Sequence, residues 1–133
     1  MKMKHQILIV DDDADDREII RDAFANSEED HEYIFLENGD KLMEYLSNCD
    51  ENNLPSLILL DLNMPGKDGR ESLKEIKSDK RLHAIPIIVF TTSSSQRDKT
   101  ISYDLGANCF VTKPDTFNNL TDLTGCISKL WLQ

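Results

Sequence analysis

Four apolar runs in this chain end on residues that can handle charge. Asp11 and Asp12 follow ILIV (Ile7–Val10), and Asp61 follows LILL (Leu57–Leu60). Thr91 and Thr92 follow IIVF (Ile87–Phe90), and Lys113 follows CFVT (Cys109–Thr112). Three acids, a hydroxyl and a lysine suit a divalent, oxygen-liganded cation acting on a phosphoryl group, because Mg²⁺ takes one or two carboxylates, waters and phosphate oxygens. The stretch VDDDADD (Val10–Asp16) sets the physical problem, with five carboxylates in six positions. At an effective dielectric near 20, each like-charge pair about 4 Å apart costs on the order of 4 kcal/mol. A bound cation relieves that repulsion.

Plainer roles compete for each residue taken singly. Asp13, Asp15 and Asp16 read as the start of a helix, where acids accept from free N–H groups and oppose the macrodipole. The same role would be the commoner explanation of Asp11 and Asp12 by themselves. Asp61 has no helix start directly beside it. Thr91 alone would be a strand-end hydroxyl bonded to backbone, and Lys113 alone a surface lysine. The convergence of all four strand ends favours chemistry. Other motifs fit poorly: an EF-hand loop from Asp11 needs Gly and Glu where Asp16 and Asp22 stand. The chain holds no G-x-x-x-x-G-K-[ST] or G-x-G-x-x-G sequence and no visible Ser-His-Asp or Cys-His arrangement.

The elements that must position these residues are legible in the hydrophobic pattern. Five strand-like runs cover residues 7–10, 33–37, 57–60, 86–90 and 108–112. Several are continuously apolar, as strands covered on both faces are. Helical spacing links Ile19, Ile20, Ala23 and Phe24, then Leu42, Met43 and Leu46, then Leu73 and Ile76, then Ile101 and Leu105. The last stripe holds Phe117, Leu120, Leu123, Ile127, Leu130 and Trp131. Strand then helix, five times over, predicts an α/β fold: a parallel sheet with helices on both faces and right-handed crossovers. In such a sheet, ligands bind at the carboxyl ends of the strands, where strand order reverses. Pro65-Gly66 and Asp68-Gly69 punctuate the exit from the third strand, and Ser93-Ser94-Ser95 offers caps for the fourth helix. Residues 48–55 and the acidic residues 27–32 read as surface loops.

Composition bounds the rest. The 133 residues suffice for one domain with one core. The N-terminal MKMKHQILIV is too short in its apolar part for a signal peptide, so the cytoplasm is the default. No apolar run approaches a membrane span. With 25 acidic against 15 basic side chains and a formal charge of −10, the chain repels phosphate backbones and anionic lipid, which argues against nucleic-acid or membrane binding. Cys49, Cys109 and Cys126 form no C-x-x-C pair and read as free thiols, and the three histidines suggest no metal cluster.

From ILIVDDD through LLDLNMPGKDG and IIVFTTSSS to GANCFVTKP, the sequence resembles the receiver domain of two-component response regulators over its whole length. DLNMPGKDGRE, TTSSS and SYDLGANCFVTKP look most like stand-alone receivers that serve phytochrome kinases. The resemblance implies a flavodoxin-like (βα)5 fold with a five-stranded sheet in the order 2-1-3-4-5, and a single receiver domain over residues 1–133 with no output domain. It implies that Asp61 is the phosphoacceptor, that Asp12 binds Mg²⁺ directly and Asp11 acts in the same site through water, and that Asn63 offers its backbone carbonyl to the metal. Mn²⁺ can substitute for Mg²⁺. Lys113 would pair with phosphoryl oxygens, Thr91 would move its hydroxyl to them, Phe110 would hold the switch-aromatic position, and the Lys113–Pro114 bond would be cis.

The implied donor is a phosphohistidine on a sensor histidine kinase, phytochrome-type included, or on a histidine phosphotransfer protein. The implied output is a protein target at the fourth helix, fifth strand and fifth helix, or onward phosphotransfer. The protein would catalyse its own phosphorylation and dephosphorylation and would not be an enzyme acting on a separate metabolite. A homodimer stays open. Phe110 stands where Tyr is frequent, and Ser93 and Asn63, which flank the path of attacking water in the family, are not carboxylates; the lifetime of the phosphoryl group therefore stays open. Tyr103 lies off the Ile101/Leu105 stripe and should face outward, while Trp131 either closes the core or, with Leu132, overruns it. Two competing classes fit less well. A haloacid dehalogenase-type phosphohydrolase would need Thr or Val where Asp15 stands, and a phosphate-free scaffold would have no use for the full acceptor set.

Overall fold

The computed structural model describes residues 5–25, 31–64, 66 and 68–132. Five strands alternate with five helices: β1 (Gln6–Val10), α1 (Ala14–Ala25), β2 (Glu32–Leu36), α2 (Gly39–Ser47), β3 (Leu57–Leu60), α3 (Gly69–Lys77), β4 (Ile87–Thr91), α4 (Gln96–Asp104), β5 (Cys109–Thr112) and α5 (Phe117–Trp131). The strands form one parallel sheet in the order β2-β1-β3-β4-β5. The doubly wound α/β arrangement expected from the sequence is the one observed.

The continuously apolar strands are explained by two cores. Successive side chains of a strand point to opposite faces. Leu8, Val10, Ile58, Leu60, Ile87 and Val89 pack on one face with Leu42 and Leu46 of α2 and Leu73 and Ile76 of α3. Ile7, Ile9, Leu57, Leu59, Ile88 and Phe90 pack on the other with Ile20, Ala23 and Phe24 of α1 and Leu120 and Ile127 of α5. Each fully buried side chain of this size contributes roughly 1.5–3 kcal/mol, and shifting any strand by one residue would exchange its two faces.

This register extends beyond the strands and places the polar residues. Asp11 N–H donates to the Leu36 carbonyl at 3.0 Å, Asp61 N–H to the Val10 carbonyl at 3.0 Å, and Lys113 N–H to the Thr91 carbonyl at 2.7 Å. The ladder therefore fixes the backbone of each residue one step past the apolar run. Side-chain caps then start the helices: Asp13 for α1, Asn38 for α2, Asp68 for α3, Ser95 for α4 and Thr116 for α5. Each such cap is worth about 1 kcal/mol.

Several expectations need correction. β2 lies one residue earlier and β4 one residue later than expected, β1 begins one residue earlier and β5 one residue later, and Thr91 is the last residue of β4. Ile19 and Phe117 are each 44% exposed and Leu130 is 77% exposed, so the helical stripes are wider than the faces the sheet covers. In α4 the residue that is fully buried is Ser102, whose hydroxyl donates to the Asp98 carbonyl at 2.7 Å, while Ile101 and Leu105 are half-buried. Tyr103 faces outward as expected, but its hydroxyl accepts from the Phe110 N–H at 3.1 Å, at the edge of the sheet. Trp131 and Leu132 both pack on the α1/α5 core. The Lys113–Pro114 peptide is trans and not cis, the form favoured intrinsically by about 0.5–1 kcal/mol. All three cysteines are free, and among the described residues no helix is long and apolar enough to cross a membrane. Pro65 and most of the acidic 27–32 loop lie outside the described residues.

Gly69 opens α3 directly beneath the third strand end. A Cβ there would lie 2.1 Å from the Asp61 carbonyl oxygen and 2.7 Å from Leu62 Cα. Its N–H also donates to the Leu62 carbonyl at 3.0 Å, so the two segments are held in contact. Backbone cannot step aside as a flexible side chain can. Gly69→Ala should therefore destabilise the protein by about 3 kcal/mol, the upper part of the range for overpacking, measured as a lowered urea midpoint with unchanged slope.

Candidate functional site

The four strand ends meet at one edge of the sheet. Asp11 is buried just past β1, Asp61 is 7% exposed just past β3, and Thr91 is buried at the end of β4. One carboxylate oxygen from each of Asp11, Asp12 and Asp61 lies within 4.8 Å of the others. Asp12 is the exposed member of this set. Lys113 reaches in from β5, and its ammonium donates to Asp11 Oδ2 at 2.5 Å and Asp16 Oδ2 at 3.0 Å. It also lies 3.5 Å from Asp61 Oδ2, and its side chain is only 12% exposed.

Local bonds explain why the carboxylates stay where they are. Asp11 Oδ1 accepts from the Asp13 N–H at 2.9 Å, and the Asp11 carbonyl accepts from the Arg17 guanidinium at 2.6 Å. Asp13 Oδ1 accepts from the N–H groups of Asp15 and Asp16 at 2.8 and 3.2 Å, which is the capping role expected of it. Asp61 Oδ1 accepts from the Asn63 N–H at 3.3 Å. That bond keeps Asn63 beside the Asp61 carboxylate.

Burial and charge oppose each other here. Burial pushes the Lys113 ammonium toward losing its proton, but the Asp11 hydrogen bond and the charges of Asp61 and Asp11 together outweigh it. The lysine is held above its ordinary range. Burial also raises the Asp11 carboxyl, and the bonds from Lys113 and Asp13 offset this only in part. Asp11 is thus a carboxylate whose charge the fold tolerates at a cost.

A second set of polar bonds lies beside Thr91. The Ser93 N–H donates to Thr91 Oγ1 at 3.3 Å, and the Ser93 hydroxyl donates to Asp98 Oδ2 at 2.6 Å. Arg70 donates to Asp98 Oδ1 at 2.7 Å, and the Thr112 hydroxyl donates to the Ser93 carbonyl at 2.8 Å. The Ser93 and Arg70 bonds hold the Asp98 carboxyl below the usual carboxylate range. The loop carrying Thr91–Ser95 is therefore tied to α3, α4 and β5.

The sequence missed three participants. Asp16 reads as a helix-start acid, yet its side chain binds a lysine 97 positions away. Arg70 and Asp98 are 28 apart, and no local pattern links them. The expected residues Asp11, Asp12, Asp61 and Lys113 are brought together, with Thr91 at the adjoining strand end. Phe110 is half-buried and packs against the α2/α3 core.

Hard carboxylate oxygens, closely grouped and without sulfur or imidazole, fit a magnesium-like cation. An open cleft of about 910 Å³ runs from this point between α1 and α5, lined by Asp16, Ile19, Lys113, Pro114 and Phe117 among others. The strand-end group can hold a divalent ion and offer a carboxylate oxygen to a phosphoryl group.

Comparison with known proteins agrees with this geometry. Residues 7–124 match the response regulator receiver domain family. Response regulator Rcp1 of Synechocystis sp. is 40% identical over 130 residues, covering 96% of this chain and 88% of that protein. The solved structure of the phosphorylated cyanobacterial phytochrome response regulator RcpA superposes with a TM-score of 0.90 at 41% identity, over 98% of this chain and 96% of that one. The Mn²⁺-bound form of Rcp1 superposes with a TM-score of 0.85 at 40% identity, over 97% of this chain and 95% of the other.

The raised Asp11 carboxyl makes a prediction with a definite sign. An acid whose pKa is raised by folding is destabilising once ionised, and its penalty disappears as pH falls below both its folded and unfolded values. Metal-free Asp11→Asn should therefore be more stable than the parent at pH 7, and the gap should close as pH is lowered through the carboxylate range. Urea melts at several pH values with chelator present measure this. Lys113 behaves oppositely at the other extreme: its contribution is complete at pH 7 and is lost only above the ordinary lysine value of about 10.4.

Proposed function

Because the chain belongs to the response regulator receiver domain family, we propose that Asp61 accepts a phosphoryl group from a phosphohistidine and that the modified protein signals through protein contacts. The observation that carries this reading is the Lys113 ammonium, held 3.5 Å from Asp61 Oδ2 at the mouth of the cleft. A carboxylate oxygen of Asp61 attacks phosphorus in line, an O–P bond forms and the P–N bond of the phosphohistidine breaks, leaving the imidazole on the donor. Lys113 donates to the equatorial phosphoryl oxygens as charge gathers there. Asp11, Asp12 and Asp61, with the Asn63 carbonyl, are the groups that would hold Mg²⁺, which supplies positive charge for those same oxygens; Mn²⁺ can replace it, as the Mn²⁺-bound form of Rcp1 suggests.

Thr91 then turns its hydroxyl toward a phosphoryl oxygen, and its bond from Ser93 gives way. That movement reaches α4 through the Ser93–Asp98–Arg70 bonds and β5 through Thr112. A shift from 1:99 to 99:1 between two conformers requires about 5.5 kcal/mol of differential interaction, to which new Thr91 and Lys113 contacts contribute. The output face is then α4, β5 and α5. The donor is a sensor histidine kinase, of phytochrome type by likeness to RcpA, or a histidine phosphotransfer protein. Exposed Ile19 and Phe117, on either side of the cleft, give it an apolar footing. The setting is cytoplasmic, and hydrolysis of the acyl phosphate by water resets the protein.

Incubation with acetyl phosphate and Mg²⁺, followed by intact mass measurement, tests the reading. The parent should gain one phosphate, Asp61→Asn should gain none, and Lys113→Ala should be labelled roughly a hundredfold more slowly, the usual loss for removing one charge-stabilising donor. A parent that stays unlabelled would make the protein a scaffold of this fold without its chemistry.

A further inference from the structure

The three carboxylates around the Lys113 ammonium are not equivalent. Asp11 and Asp61 belong to the group of oxygens that lie within 4.8 Å of one another with Asp12. Asp16 does not, although it accepts from Lys113 at 3.0 Å. A carboxylate that engages a divalent cation is a poorer acceptor, so a cation on Asp11, Asp12 and Asp61 loosens the hold of Asp11 and Asp61 on the lysine. Asp16 remains. We infer that Asp16 is a positioning residue: it holds the Lys113 ammonium at the site when a cation engages Asp11, Asp12 and Asp61, and keeps an N–H directed at the phosphoryl oxygens arriving on Asp61. This rests on the reading of Asp61 as the phosphoacceptor.

Three features suit Asp16 to this role. Its backbone is fixed in the first turn of α1, where its N–H donates to Asp13 Oδ1 at 3.2 Å. An ammonium has three N–H groups, so Lys113 can serve Asp16 and a phosphoryl oxygen together, and Asp16 steers without competing. A lysine side chain is long and rotamer-rich, and unanchored it spreads over many conformers. The Asp16 side chain is 36% exposed, so the pair adds little to stability and its removal leaves the fold intact.

The test uses the full chain saturated with Mg²⁺, so that altered metal affinity plays no part. In spectra of ¹⁵N-labelled lysine ammonium groups, Lys113 should give a signal protected from solvent exchange, assigned by its loss in Lys113→Arg. Asp16→Ala should lose that protection in the metal-loaded protein, and Asp16→Asn, which keeps an acceptor oxygen, should retain part of it. Labelling by acetyl phosphate should slow roughly tenfold in Asp16→Ala, as misplacement of a catalytic group does, with partial recovery in Asp16→Asn. A protected Lys113 signal in Asp16→Ala equal to that of the parent overturns the inference, whatever happens to the rate. If the parent gains no phosphate, the acceptor reading fails, and the lysine spectra still decide whether Asp16 holds Lys113.

Discussion

One ammonium holds the acidic edge of this sheet together. Lys113 reaches from the end of β5 to carboxylates at the ends of β1 and β3 and at the start of α1. Without a countercharge, each close carboxylate pair costs on the order of 4 kcal/mol at an effective dielectric near 20. Burial sharpens the conflict, since it raises the Asp11 carboxyl even with the lysine in contact. The fold thus keeps acids where they weaken it, and the lysine stands in for charges that a cation and a phosphoryl group would rearrange. The parallel ladder makes this possible, because its register holds Asp11 and Asp61 side by side at the carboxyl edge of the sheet and carries Lys113 two residues further along β5.

The two sides of the site are built differently. β1 and β3 are central, covered on both faces by packed leucine, isoleucine and valine, and they hold the acceptor and cation groups rigidly. β5 is an edge strand, half-buried to exposed along its length. α4 buries a serine where a helix usually buries an apolar residue. The loop between β4 and α4 is held largely by hydrogen bonds of Ser93, Asp98, Arg70 and Thr112. Polar bonds at a surface can exchange partners far more cheaply than a close-packed core can rearrange. Rigidity on one side of the site and adaptable bonding on the other are what the proposed switch requires.

Much of this was legible in the sequence, and the exceptions have physical causes. The strand runs, their apolar character on both faces, and the polar residues at their ends follow from local pattern, so the sheet and the meeting of Asp11, Asp12, Asp61 and Lys113 could be anticipated. Ile19, Phe117 and Leu130 looked like core because helical spacing reports which residues share a face, and not how far the sheet extends beneath it. Ser95 could be named among the caps of α4 because capping is local, whereas Asp16 and Asp98 gain their roles from partners distant in the chain. Gly69 was visible only as turn punctuation; that its missing Cβ makes room for the Asp61 carbonyl depends on tertiary contact.

The central claim is that the strand-end carboxylates form a cation site beside a lysine that Asp16 holds. A crystal soaked in Mn²⁺ and measured at the manganese absorption edge tests it most directly. The account predicts one anomalous peak among the carboxylates of Asp11, Asp12 and Asp61, with the Lys113 ammonium still bonded to Asp16. No peak at that position, or a peak with Lys113 detached from Asp16, would contradict it.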